Sequence, residues 1–220
     1  VLQNYTMGEK RNQSSDGFRM PSRMAFVCLP GLDSPEARAH NEHGLNKRGV
    51  MTMIHFRMAT AEDAGLISHI YASSWRKSYR GLINQDYLDR LPDDYWVPSI
   101  RSWLSSGRLD ALMVYEDKQP IGCACYGRGR DEDHGTWGEI VSIYLAPDWM
   151  GQGYGGQLLE ETLNKLREQG FQRFYLWMLQ GNQRAARFYA RHGFKVTSDT
   201  VAYKIGGQDI QDVRYVRVEK

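Results

Sequence analysis

Cysteine is scarce in this 220-residue sequence, which contains only Cys28, Cys123 and Cys125. An odd number, with two of the three only two positions apart, excludes a disulfide framework. No C-x-x-C pair is present for a metal or a redox centre, so no metal is expected. Cys123 and Cys125 would lie on one side of a strand, as small buried side chains. A reducing cytoplasm is the simplest compartment for such cysteine usage. Long apolar runs are also missing. None approaches the roughly 18 residues of a membrane span, the mean hydropathy is −0.58, and no membrane partner is expected. Charge of one sign is in short supply, with 28 Lys and Arg against 26 Asp and Glu, a net charge of +2. Residues 1–50 hold seven of the basic and five of the acidic residues, so the excess belongs to that segment. The remainder is balanced, which argues against a nucleic-acid partner.

The first 50 residues lack periodicity of either kind and are rich in Asn, Ser, Gly, Arg and Pro. The apolar patch from Met24 to Leu32 is interrupted by Pro30 and does not make a signal peptide. Residues 1–50 therefore read as a flexible leader, disordered or foreign to the natural protein. A single domain is expected over residues 51–220, with Met51 and Met53 near its start.

The pattern within that domain is a mixture of strands and helices. IHFRM alternates as a strand. Thr60-Ala-Glu-Asp63 reads as a capping box, and Ala64, Ile67, Ile70, Tyr71, Ser74 and Trp75 share one helical face. A break at Gly81 precedes a short helix, and a third helical pattern spans Asp93 to Ser105. Two strands flank a turn at Asp117-Lys118. A charged loop from Gly127 to Gly138 leads into an apolar strand from Glu139 to Leu145. After a glycine-rich segment come a helix closed by Gly170, a buried strand from Phe174 to Met178, a helix from Asn182 to Arg191, and a hairpin around Gly206-Gly207. This order predicts an α+β fold with a mixed sheet, not a strict alternation of strand and helix.

The glycine-rich segment is Gly151, Gln152, Gly153, Tyr154, Gly155 and Gly156. Gln157 and Leu158 follow it where a Walker A loop requires Lys and Ser or Thr. A dinucleotide fold would need an acid about 20 residues on, yet Leu176 stands there, and too little chain follows for a doubly wound domain. What remains is a cradle of backbone N–H groups at a helix N-terminus. Absent Cβ atoms let an anion such as a pyrophosphate approach it.

One strand further on, Asn182, Ala185, Phe188, Tyr189, Gly193 and Phe194 stand in the spacing Asn-x-x-Ala-x-x-Phe-Tyr-x-x-x-Gly-Phe. Together with the glycine turn this resembles the GNAT superfamily of N-acetyltransferases over residues 54–218. The resemblance implies the acyl-CoA N-acyltransferase fold, with a mostly antiparallel central sheet flanked by helices. It implies acetyl-CoA as co-substrate, transfer of the acetyl group to a primary amine in a ternary complex, and a small-molecule or peptide amine as partner. Family members are often dimers, which extends the implied partners to a second copy of the chain. Ile143, Tyr144 and Leu145 correspond to the strand end that runs beside the pantetheine arm. The glycine segment corresponds to the pyrophosphate loop, Asn182 to a contact with the CoA arm, and Tyr189 to the acid that protonates the leaving thiolate. One position departs from the pattern. Where the family has Gln or Arg, this sequence has Met150, which cannot donate a hydrogen bond; Gln152 is the neighbour placed to substitute.

Acetyl transfer also needs a proton acceptor. Glu139, at the start of the central strand, is the candidate base. Asp131, Glu132, Asp133 and His134 form an alternative acidic cluster for attracting a cationic amine. Trp75, Tyr79 and Tyr87 are candidates for the wall of the acceptor site. The competing reading is a non-catalytic acyl-CoA sensor or scaffold with the same fold.

Overall fold

The computed structural model describes Phe26–Cys28, His43–Leu45 and residues 51–219. The expectation of a disordered leader falls mostly outside these residues. Two three-residue segments of it are described, β1 (Phe26–Cys28) and β2 (His43–Leu45).

Seven longer strands make one mixed sheet. They are β3 (Met51–Met58), β4 (Asp110–Glu116), β5 (Gln119–Arg128), β6 (Gly138–Leu145), β7 (Arg173–Leu179), β8 (Lys195–Ile205) and β9 (Gln208–Val218). Their spatial order is β3-β4-β5-β6-β7-β9-β8, with β2 added at the edge of β3. All pairs in that order are antiparallel except β6–β7.

Helices cover both faces. α1 (Ala64–Ser78), α2 (Gln85–Asp89) and α3 (Val97–Ser105) pack on one side; α4 (Tyr154–Glu168) and α5 (Gln183–Arg191) pack on the other. The α1 face of the sheet supplies Ala111, Met113, Cys123 and Tyr144 to one core. The opposite face supplies Leu112, Ala124, Ile143 and Leu176 to a second. This is the alternation a two-sided sheet imposes on its strands.

The helix starts follow local chemistry. Thr60 N donates to Asp63 Oδ2 at 2.8 Å, completing the expected capping box. α3 begins at Val97, four residues later than the periodicity suggests. The Asp93 carboxylate accepts from Arg76 and faces His69, and Trp96 N donates to Ser68 Oγ. Residues 93–96 are thus tied to α1, and Pro98 occupies the first turn of the helix that follows, where its missing N–H costs nothing.

A bulge shapes the middle of the sheet. Cys125 pairs with Ser142 and Tyr126 with Ile140, leaving Val141 as an extra residue in β6. Bulges bend the strand that carries them. β6 pairs with β7 only at Gly138–Phe174 and Glu139–Tyr175, at its start. Beyond the bulge the two strands part, and β1 pairs in parallel with Ser142, Ile143 and Tyr144 along the edge of β6 that β7 has left.

Candidate active site

The glycine segment joins a 3₁₀ turn at Pro147–Trp149 to α4. Gly151 and Gly153 have φ of +80° and +88°. A side chain there would cost roughly 1–2 kcal/mol. Gly153 is the N-cap of α4 and has no side chain with which to cap it. Among the described residues no group accepts from the N–H groups of Gly151, Gln152, Gly153, Tyr154 or Gly155; the first helical donors used are those of Gly156 and Gln157. These donors and the helix dipole favour an anion.

The loop is fixed from outside the motif. Trp149 Nε1 donates to Glu116 Oε2 at 3.1 Å, and the Tyr154 hydroxyl donates to Glu116 Oε1 at 2.9 Å. One carboxylate at the end of β4 therefore holds both sides of the turn. Burial, reinforced by Glu116, raises the Tyr154 pKa to about 12. Met150 packs against the core on the α4 side. The Gln152 amide donates to Asp148 O at 2.6 Å, so the side chain expected to replace the missing donor is turned back onto the loop.

Asn182 caps α5, its Oδ1 accepting from Ala185 N at 3.1 Å. That cap explains Asn at the start of the motif as a requirement of the helix itself. Tyr189 has no solvent exposure. Its ring lies edge-on to Phe188 at 5.1 Å and to Phe194 at 5.6 Å.

Glu139 is also buried, but in a different setting. It accepts from Arg130 Nε (2.8 Å), Arg130 Nη2 (2.7 Å), Arg130 N (3.1 Å) and the Tyr175 hydroxyl (3.0 Å). The Arg130 guanidinium thus engages both carboxylate oxygens in a bidentate pair. These bonds tie Glu139, the candidate base, to the 129–131 loop.

The acidic cluster gathers around a residue that the sequence reading missed. Arg214 of β9 bonds Asp133 at 2.9 Å, Asp131 at 3.1 Å and Asp199 at 3.2 Å, and its guanidinium lies 4.7 Å from the Trp177 ring centroid. The Arg214 guanidinium, with His134, holds the Asp133 carboxyl at a pKa of about 2. A cavity of about 480 Å³ opens beside this hub, lined by Asp131, Glu132, Asp199 and Trp177 among others.

Of the residues expected at the acceptor wall, Trp75 lies in α1 and Tyr79 caps its C-terminal end. Trp75 Nε1 donates to the Tyr144 hydroxyl at 2.9 Å, and the Trp75 ring meets Tyr79 edge-on at 5.1 Å. Tyr87 lies further out, against the turn of the β8–β9 hairpin. A Cβ added to Gly206 would stand 2.7 Å from Tyr87 Cβ, and Gln208 Nε2 donates to Leu82 O at 3.0 Å. Cys123 and Cys125 are buried as expected, and desolvation raises both thiol pKa values. Among the described residues no cluster of His, Cys, Asp and Glu suits a metal ion, and no helix is long and apolar enough to cross a membrane.

The mixed sheet of seven longer strands flanked by helices matches the acyl-CoA N-acyltransferase fold. Residues 66–194 match the profile of the Acetyltransferase (GNAT) family. The chain belongs to that family. It is 29% identical over 167 residues to the uncharacterised N-acetyltransferase YuaI of Bacillus subtilis, covering 73% of this chain and 91% of that one. It is 26% identical over 165 residues to the probable N-acetyltransferase Rv2775 of Mycobacterium tuberculosis, covering 74% and 92%. Among solved structures, PaiA N-acetyltransferase of Thermoplasma acidophilum in complex with coenzyme A superposes with a TM-score of 0.62. That match is 19% identical and covers 76% of this chain and 99% of that one. YncA of Salmonella typhimurium, solved with acetyl-CoA, gives a TM-score of 0.57 at 20% identity, covering 75% and 93%. At these identities the two structures bear on the fold alone.

Proposed function

We propose that this protein transfers an acetyl group from acetyl-CoA to a primary amine by direct attack within a ternary complex. The observation that carries this reading is the set of unused backbone donors from Gly151 to Gly155 at the head of α4. They suit the pyrophosphate of CoA and require neither lysine nor metal. From there the pantetheine arm would run along the edge of β6 at Ile143, Tyr144 and Leu145, where β6 has parted from β7. The arm and β1 would use the same edge, so β1 must leave when acetyl-CoA binds. Residues 51–220 are the catalytic domain in this reading, and the free thiols fit a cytoplasmic enzyme.

Two protons have to move. A primary amine with a lysine-like pKa near 10.4 is neutral in only about one molecule in 10³ at pH 7, so the ammonium must give up a proton before attack. The departing thiolate, with a pKa of about 8.5 by the cysteine reference, takes a proton from a positioned acid. Tyr189 is that acid. A covalent acetyl-enzyme is disfavoured, because burial raises the pKa of both Cys123 and Cys125 and keeps them as thiols.

The test is release of free CoA thiol when the full chain is incubated with acetyl-CoA and a panel of small, oligomeric and peptide amines. Release that depends on one class of amine is the expected result. Measurable CoA binding with no release for any amine would replace catalysis by the sensor reading, to which Met150 lends some support.

A further inference from the structure

The apolar patch from Met24 to Leu32 interrupts a polar leader, and acetyl transfer gives no reason for it. Its centre, Phe26–Cys28, is β1. Phe and Val favour strands, and Pro30, two positions on, cannot donate to a ladder. β1 adds in parallel to β6, with Phe26 opposite Ser142, Val27 opposite Ile143 and Cys28 opposite Tyr144. The other edge of these three β6 residues is taken by Cys125, Ala124 and Cys123 of β5. β7 pairs with β6 only at Gly138 and Glu139, and β1 lies against β7 and α1 as well as β6. It therefore stands in the gap where β6 and β7 have parted. Ser142, Ile143 and Tyr144 are buried, and among the described residues no other strand reaches this edge of β6. Main-chain N–H and C=O groups left bare at such a place are costly, so the edge needs an occupant. An extended segment that adds to a sheet edge gains its affinity from main-chain hydrogen bonds. The pantetheine arm of CoA carries two amide groups and can use the same donors and acceptors.

We propose that β1 is an autoinhibitory plug, a piece of the chain that occupies the pantetheine channel in place of acetyl-CoA and sets the enzyme's apparent affinity for it. This rests on the acetyl-transfer reading above and adds a regulation of that site. The competition acts on binding alone. A molecule with β1 seated takes no acetyl-CoA. A molecule with β1 released is unimpaired, because none of the residues assigned to the reaction lies in β1. The apparent Kd is the intrinsic Kd divided by the released fraction, so a plug seated in about nine molecules of ten weakens binding about tenfold. β1 is suited to being displaced. It has three residues, and parallel pairing is slightly less stable per residue than antiparallel. It competes in spite of this because it belongs to the same chain, and a tethered segment acts at an effective concentration on the order of mM. The coupling is reciprocal: acetyl-CoA loosens β1 by the factor by which β1 weakens acetyl-CoA. The consequence is a threshold, with turnover beginning only when acetyl-CoA is abundant enough to displace the strand.

The test uses the full chain and two variants at the centre of β1. Val27→Pro removes a main-chain N–H and is poorly tolerated in a ladder. Val27→Gly keeps the N–H and lowers strand preference. Acetyl-CoA binding is followed by calorimetry, which needs no amine. Val27→Pro should lower the acetyl-CoA Kd by about threefold or more, and Val27→Gly should shift it in the same direction by less. With the amine giving the fastest thiol release, KM for acetyl-CoA should fall in parallel while kcat stays within about twofold. An unchanged Kd in both folded variants overturns the plug and leaves acetyl transfer intact. Weaker binding in both also overturns it, by making β1 part of the acetyl-CoA site. If Val27→Pro has no melting transition, Val27→Gly decides by the direction of its shift. Acetyl-CoA that binds neither the wild-type chain nor either variant overturns the plug and the reading beneath it together.

Discussion

Tyr189 and Asp212 are polar groups that the fold holds away from water, on opposite faces of the sheet. In the proposed reaction Tyr189 supplies the proton that the departing thiolate takes. Tyr189 is set in a cage of Phe188, Phe194 and Tyr215, so replacing it with Phe changes little in packing. Tyr189→Phe should lower turnover at least tenfold while acetyl-CoA affinity, by calorimetry, changes less than threefold. Equal losses in both would make Tyr189 a binding residue only. Asp212 gives a prediction about stability. Desolvation raises its folded pKa to about 7, above the ordinary aspartate value of 3.8. An acid raised in the folded state costs nothing below its unfolded pKa. The cost grows as pH rises from about 4 to about 7 and is constant above, reaching a few kcal/mol. Asp212→Asn has no such cost. Its urea midpoint should exceed that of wild type most clearly at pH 8, and the advantage should shrink toward pH 4. An advantage independent of pH would mean that the carboxyl is not raised.

At the level of elements, helix ends follow closely from sequence. The Thr60–Asp63 box, Asn182 at the N-cap of α5 and Gly170 beyond α4, with φ of +90°, are local devices in which a side chain or a glycine answers its own backbone. The glycine cradle belongs with them. Its attachment does not, because Glu116 reaches Trp149 and Tyr154 across more than 30 residues of chain. Strand pairing is equally non-local. The parallel contact of β1 with β6 puts Phe26–Cys28 on the edge assigned to the pantetheine arm. Hydrogen–deuterium exchange should show amides 26–28 protected in the free protein and exchanging faster at saturating acetyl-CoA. Unchanged protection in the complex would mean that the arm does not take the β6 edge.

Over the whole molecule, the sheet separates two cores. The α4–α5 side carries the glycine loop and Tyr189; the α1 side carries Trp75, Tyr79, Tyr144, Tyr203 and Asp212. The bulge at Val141 lies just beyond the last paired residue of β6 and β7, where the two strands part. The sequence alone determined the order of elements, the helix caps, the glycine cradle and the Asn182–Phe194 motif, because each is encoded in residues a few positions apart. Only the tertiary structure decided which carboxylates are spoken for. Glu139 and Asp212 are both buried acids within strands, and the residues beside them do not tell them apart. Arg130 and Tyr175 come to one, and among the described residues no cation comes to the other. Which groups a buried charge meets depends on strand order and register, and these are set by the packing of the whole sheet.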